Sequence, residues 1–526
     1  MKTCKLGKMT ESRQGSPFGW LRWAGAALCL ALVLILFPTV RAAQSSGTCG
    51  DLTWVFDEST KTLTISGQGR MATSNWPFTS VSQSVENLVI QPGATYIDEQ
   101  AFESFRNLKS VSIPGTVEVI DDFAFYDCGS LERIVIPEGV REIGDDIFVF
   151  CNKLKDVSLP QTLTYIGSYA FRVCTALEEI TIPSHVNTVG SYAFDGCSNL
   201  KRVTLEDGVK RICSGAFNGC DIIRLDIPGS VEVIEQTAFR GNSHLESLTI
   251  RHGVKEIQGR AFEQCDALKT VTLPGSVQSV WDEAFLPSGL DEVVVLGWNT
   301  QYTGGSFGLT PNPFGRTATI YGFAGSPTES LAKKGGNPFI PLDYYDVLPH
   351  TWYFDTIKTA TEWNLFHGVE THRFAPNGTM SRAMLVAVLW RSAGAPEPEQ
   401  EATFVDVPQN SYYAKAVAWS AEQGIVRGVS ADRFDPNSPI TREQLAAILY
   451  RYTGVLGADR SQRGDLSGFP DQGQVSSYAK EAMEWAVGTE LILGADGKLM
   501  PRSSATRAQT ATIVVRFLNA MGEEKG

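Results

Sequence analysis

Between residues 101 and 296 the apolar positions return on a fixed beat. Phenylalanines fall at Phe102, Phe125, Phe148, Phe171, Phe194, Phe217, Phe239, Phe262 and Phe285, in steps of 23 residues except for one step of 22 before Phe239. The stretch from Cys151 to Phe171 shows the unit. Leu154, Val157 and Leu159 follow L-x-x-V-x-L, and the last two, at period two, predict a short strand buried on one face. Pro160 ends it, because proline has no N–H to give to a sheet ladder. Leu163 and Ile166 point inward on the return leg, Gly167 allows a turn, and Ala170-Phe171 closes the coil with a large apolar plug. One such unit cannot bury its own apolar face. Stacked copies can, so the period predicts a solenoid.

After Leu342 the beat lengthens. Tyr344–Arg391 and Phe404–Arg451 align without a gap at an offset of 60, and a third copy starting at Phe469 places Arg507 at an offset of 65 from Arg442. Each copy predicts helix, loop, helix. In the second, Val417, Ala421 and Gly424 share a helical stripe. Gly428 to Pro439 has loop composition. Thr441 then begins a second helix. Thr441 with Gln444 and Thr506 with Gln509 fit the capping box, whereas Ser381 and Met384 leave it incomplete in the first copy. The turn-rich stretches Gly394–Ala402 and Gly457–Asp465 read as linkers.

The start of the chain carries Lys2, Lys5, Lys8, Arg13 and Arg22, then the apolar run Ala24–Phe37, then Val40-Arg41-Ala42. This order predicts a secretory signal peptide over residues 1–42, cleaved after Ala42. The competing reading is an uncleaved anchor, since Trp23–Val40 gives 18 mostly apolar residues, the lower limit for a membrane span. The 526 residues, 43% apolar and 20% charged, leave room for three or four globular domains. A net charge of −13 argues against nucleic acid as partner, because phosphate binding needs a basic surface.

Cys128, Cys151, Cys174, Cys197 and Cys220 follow the repeat, Cys265 continues it, and Asn242 fills the missed rung. They predict a ladder of mostly free, buried thiols inside the solenoid. A metal or redox role competes, but there is no C-x-x-C, and the thiols run along a line rather than around a point. The outward strand positions, among them Ser110/Ser112, Glu179/Thr181, Arg202/Thr204 and Thr270/Thr272, make a polar face. It reads equally as a binding surface or as a solvated one.

The recurring phrase of Ala-Phe, Cys, Leu and Val-x-Ile-Pro resembles the BspA-type (Treponema-like) leucine-rich repeat of bacterial surface proteins over residues 101–296. Residues 43–100 and 297–341 resemble that family's N- and C-terminal caps. The longer copies resemble surface layer homology domains through Phe404-Val405-Asp406-Val407, Gly428 with Phe434-x-Pro436, and Ile440-Thr441-Arg442-Glu443. They span residues 342–396, 401–459 and 465–526. The resemblance implies a multidomain chain: a right-handed leucine-rich-repeat β-solenoid of about nine 23-residue coils, followed by an all-α pseudo-trimer. It also implies noncovalent binding to a secondary cell wall polymer, typically pyruvylated, in grooves between the three prongs.

Carried over by position, the family's key arginine falls on Arg382, Arg442 and Arg507, and its loop glycine on Gly368, Gly428 and Gly494. Its acidic residue falls on Asp346, Asp406 and Asp471. Its helix-one tryptophan, an apolar platform for a sugar, falls on Trp419 and Trp485, with Thr359 in the first copy. A pyruvyl ketal carries a carboxylate, which an arginine fork at a positive helix end would suit. The second copy matches best. The implied function is a secreted, cell-wall-anchored bacterial surface protein that presents its solenoid for protein or glycan recognition. The alternative is an envelope scaffold without a foreign ligand. Membrane contact is expected only through the signal segment before cleavage. No cofactor, metal or catalytic group is expected, because repeats and caps use up the mature chain and His185, His244 and His252 lie scattered.

Overall fold

The computed structural model describes residues 44–71, 76–304 and 312–522. The expected signal peptide lies outside the described residues. Two compact units divide the chain: one runs through Leu163 and takes in Val173–Leu177, and the other holds Thr164–Arg172 and Glu178 onward.

The first unit opens with an antiparallel meander of Gln44–Cys49, Leu52–Asp57 and Thr62–Gly67. Thr62–Gly67 then pairs in parallel with Asn87–Ile90, and that strand with Ser110–Ser112. Arg133–Val135 and Asp156–Ser158 repeat the pairing. The return legs Ala94–Ile97, Val119–Ile120 and Glu142–Ile143 build a second parallel ladder. The second unit continues both motifs. One ladder runs through Glu179–Ile182, Arg202–Leu205, Arg224–Ile227 and Ser247–Ile250. Thr270–Leu273, Glu292–Val295, Thr319–Gly322 and Phe339–Pro341 follow.

The solenoid has about twelve turns rather than nine. The extra coils, at Thr62, Glu292 and Thr319, lack the full Ala-Phe phrase. Strand pairing needs only backbone, so a coil can join the ladder without the side-chain signature that made it countable. Phe78 and Phe314 supply plugs at those ends, 5.5 Å from Phe102 and 5.8 Å from Phe285.

Strand spacing dictates the interior. Coils about 4.8 Å apart put equivalent rings in face contact. Phe194 and Phe217 lie 5.0 Å apart with planes within 1°. The residue two before each phenylalanine adopts left-handed φ, as at Tyr169 (φ 57°) and Gly215 (φ 64°), and turns its N–H toward the following coil. Each ladder cysteine donates its Sγ–H to the phenylalanine carbonyl of the preceding coil, as from Cys128 to Phe102 (3.3 Å) and from Cys197 to Phe171 (3.1 Å). Asn242 reproduces that bond to Phe217 at 2.9 Å and accepts from the Ile222 N–H as well. The described cysteines are unbridged. Burial pushes the Cys151 and Cys265 thiols up to about 12.

Past the last coil, α1 (Pro327–Gly335) packs on the exit sheet. Three helix pairs follow: α2 (Phe354–Glu362) with α3 (Arg382–Ser392), α4 (Ala414–Glu422) with α5 (Arg442–Val455), and α6 (Lys480–Gly488) with α7 (Arg507–Ala520). Thr441 and Thr506 complete capping boxes with Gln444 and Gln509, while Ser381 caps α3 alone. One shared apolar core, including Trp419, Tyr452, Trp485 and Phe517, holds the six together.

Candidate functional site

The residues just before α3, α5 and α7 form a closed ring of backbone hydrogen bonds. Met380 N–H donates to the Ala505 carbonyl (3.0 Å), Ala505 to Ile440 (2.8 Å), and Ile440 back to Met380 (2.8 Å). The first helical residue of each is an arginine, and its N–H is taken by a loop of another copy: Arg382 by the Ser438 carbonyl, Arg442 by Ser503 and Arg507 by Gly378. This corrects the expectation of an anion resting on a free helix end, since those N–H groups are already satisfied.

The three guanidinium groups reach further. Arg382 Nε donates to the Phe434 carbonyl (3.1 Å) and its Nη2 to Arg427 (3.1 Å). Arg507 does the same to Phe374 (2.8 Å) and His367 (2.7 Å). Arg442 donates only through Nε, to Leu499 at 2.8 Å, so its Nη groups remain uncommitted. All three side chains are buried, and among the described residues none forms an ion pair. Burial lowers their pKa values, yet a guanidinium stays charged. Each is a desolvated cation with donors to spare, with carboxylates such as Asp435, Asp471 and Asp346 acting on it through space without pairing.

Each arginine opens into a groove assembled from all three copies. In the first groove, Arg507 of the third copy meets His367, Gly368 and Arg391 of the first and Tyr412 of the second. In the second, Arg382 meets Arg427, Gly428, Gln444 and Arg451, with Tyr478 from the third copy. In the third, Arg442 meets Leu493, Gly494, Gln509 and Arg516, with Trp352 from the first copy. The predicted arginines and glycines therefore come together, but across copies. Arg442 and Gly428, from the same copy, belong to different grooves.

The predicted aspartates sit elsewhere. Asp346 accepts from the N–H groups of Phe374 and Ala375, Asp406 from Phe434 and Asp435, and Asp471 from Leu499 and Met500, all at 2.7–2.9 Å. They fasten the loops whose carbonyls hold the arginines. Burial alone would raise the Asp406 carboxyl, but its two backbone bonds outweigh that and hold it below the usual range. Trp419 and Trp485 are corrected too. Both are buried in the helix core, Trp419 against Tyr452 and Trp485 against Tyr450 and Phe517, so neither is a sugar platform.

Exposed aromatics take that place: Trp352 (63%), Tyr412 (62%) and Tyr478 (57%) each wall one groove. Sequence matching passed over them because it sought the helix-one tryptophan by residue type. The available signal was the doublets Trp352-Tyr353 and Tyr412-Tyr413, in which one ring packs on the core and its neighbour faces out. Tyr478 is held from outside its groove, where its hydroxyl donates to the buried Glu443 at 3.3 Å; burial and that carboxylate push it up to about 12. Arg391, Arg451 and Arg516, each nine residues beyond a helix-start arginine, were also missed.

Comparison with known proteins agrees with this architecture. The family model described as BspA type Leucine rich repeat region matches residues 77–191 and 164–290 in six copies. The S-layer homology domain model matches residues 343–383, 403–446 and 468–511. An endoglucanase of Bacillus sp. (strain KSM-635) is 30% identical over 33% of this chain and 18% of its own length. The surface-layer 125 kDa protein of Lysinibacillus sphaericus is 34% identical over 31% of this chain and 14% of its own. This chain thus spans less than a fifth of the length of either relative. A cellulosome-anchoring protein of Acetivibrio thermocellus is 25% identical over 28% of this chain and 33% of its own length. A solved leucine-rich repeat protein from Bacteroides ovatus, 18% identical, covers 56% of this chain and 98% of that one, with a TM-score of 0.28.

Proposed function

We propose that this chain, a BspA-type leucine-rich-repeat solenoid joined to three S-layer homology domains, is held on a bacterial cell wall by its three grooves and presents the solenoid outward. One observation carries the reading. Among the described residues seven arginines line the grooves (two, three and two) and no aspartate or glutamate does, while the chain as a whole is acidic at −13. A cation-lined cleft on an acidic protein selects an anion. The exposed ring in each groove adds a flat apolar wall for a pyranose, while the arginine Nη groups donate to a carboxylate. An acidic sugar polymer, pyruvylated for example, fits both.

Binding is noncovalent and reversible, and the second groove, with Arg382, Arg427 and Arg451, concentrates the most positive charge. The named relatives include a surface-layer protein and an anchoring protein, which supports the wall assignment. The hydrolase names belong to proteins several times longer than the matched stretch, so we assign this chain no catalytic step. The solenoid's role is recognition of a protein or glycan through its polar strand face.

The test is sedimentation of the full chain with bacterial wall sacculi, before and after removal of pyruvyl groups. Arg382→Ala should weaken retention by about tenfold or more, the worth of a charge-assisted bidentate contact. Unchanged retention after alanine replaces Arg382, Arg442 and Arg507 together would refute the proposal.

A further inference from the structure

The loop that lines the first groove is also gripped by the solenoid's exit cap. His367 and Gly368 enter a tight hairpin in which Val369 N–H donates to the Arg373 carbonyl (2.8 Å), and Phe374 leaves it. Arg507 clasps both stems, His367 through Nη2 and Phe374 through Nε. At the tip, the His372 imidazole stacks on Trp298, 4.7 Å between centroids, and lies 4.8 Å from the ring of Phe323. Trp298 and Phe323 belong to the last turns of the solenoid, and beside them Leu348 and Phe354 pack on an apolar patch of Val294, Tyr321, Phe323 and Leu342.

Among the described residues the other two copies have no such grip. The counterpart of His372 in the third copy is Gly497, at φ 72°; His372 itself sits at φ 58°. A histidine in that left-handed conformation is strained where glycine is not. The ring sits there in the one copy where a solenoid aromatic is present to receive it. In the second copy the counterpart is Asp432, whose side chain bonds locally to Ser430.

We propose that Trp298 is a positioning residue for the first groove: by holding His372 it fixes the hairpin whose carbonyls aim Arg507 at the ligand. The route is short and wholly structural. Trp298 touches His372, and two residues on, the Phe374 carbonyl accepts from Arg507 Nε. Loosening the tip frees both carbonyls that orient the guanidinium. The solenoid end thus completes one of the three wall-binding grooves and leaves the other two alone. This rests on the wall-binding reading above.

The experiment uses the full chain in two backgrounds, with purified sacculi as the probe. Arg382→Ala with Arg442→Ala leaves only the first groove, and Arg507→Ala removes only that one. Trp298→Ala should weaken binding about three- to tenfold in the first background, the scale of one lost ring contact, and leave the second unchanged. His372→Gly, which relieves the backbone and removes the ring, should act the same way. Trp298→Phe should restore most of the binding. Circular dichroism melts confirm that each variant is folded. Equal weakening in both backgrounds, or none in the first, overturns the inference. If the first background does not bind at all while the Arg507→Ala chain still sediments, the first groove is no site and the inference falls, but wall binding stands. If neither background binds, wall binding itself has failed.

Discussion

The solenoid and the helical region are both built by repetition, and they use it in opposite ways. In the solenoid every copy does the same thing. Phe171, Phe194 and Phe217 occupy one environment repeated, and each rung meets only its neighbours. In the helical region the three copies share a backbone, but no groove belongs to one copy. Each takes its arginine, its loop and its aromatic from three different ones. Linear stacking makes positions equivalent and tolerant of number. Cyclic assembly makes them complementary, so that a change in one copy is felt in the groove of another.

The sharpest way to break the contrast is Phe217→Ala. It removes a fully buried ring from the middle of the stack and should cost about 3–5 kcal/mol. Calorimetry should show the loss in the solenoid transition, with wall retention intact at temperatures below it. Next comes Asp406→Ala, which leaves the Phe434 and Asp435 N–H groups without their acceptor and should destabilise the helical region by about 1.5–3 kcal/mol. Because the Asp406 carboxyl is held low, its contribution is present above the ordinary carboxylate range and lost as pH falls through its native pKa, so the variant's deficit should shrink in acid. If the copies are complementary, Asp406→Ala should also disturb the groove of Arg382, whose Nε bonds the Phe434 carbonyl.

A smaller effect tests tolerance in the stack. Asn242→Cys restores the missing thiol rung but abandons the Ile222 N–H, and should cost about 1–2 kcal/mol by chemical denaturation. Smaller still is a pH effect confined to the first groove. Burial and the neighbouring Arg391 and Arg507 hold His367 below the usual imidazole range. It is neutral near pH 7, and its protonation at lower pH adds a cation facing the ligand. With Arg382 and Arg442 replaced by alanine, retention should strengthen as pH falls below the usual imidazole range, whereas the Arg507→Ala chain should show no such rise. The smallest expected effect is none at all. With Cys151 and Cys265 pushed up to about 12, their thiols should ignore a disulfide reagent at pH 8 until the chain unfolds.

The same contrast explains what the sequence disclosed. In the solenoid one position means one environment, so a step of 23 residues was enough to place Phe194 in the stack and Cys197 in the ladder, and even to mark Asn242 as the substitute. The coils at Thr62 and Glu292 escaped because backbone pairing leaves no side-chain signature. In the helical region alignment correctly equated Arg382, Arg442 and Arg507. It could not tell that Arg507 meets His367, 140 residues away, because partnership there is set by ring closure and not by register. Trp419 matched by type, yet exposure rather than type makes a platform, and a buried ring on α4 reads like an exposed one until the packing is known.

The ring through Met380, Ala505 and Ile440 has one more consequence. Three donors and three acceptors are used up with none left over, so the count is fixed by geometry. A fourth copy would find no opening, and deletion of one would leave a broken circuit and one of the two remaining arginines without its loop. Such an anchor can be inherited, transferred or grafted only as a whole triplet, whereas the solenoid beside it can lengthen or shorten by a coil at a time. Reach is the adjustable quantity in this protein, and attachment comes in threes.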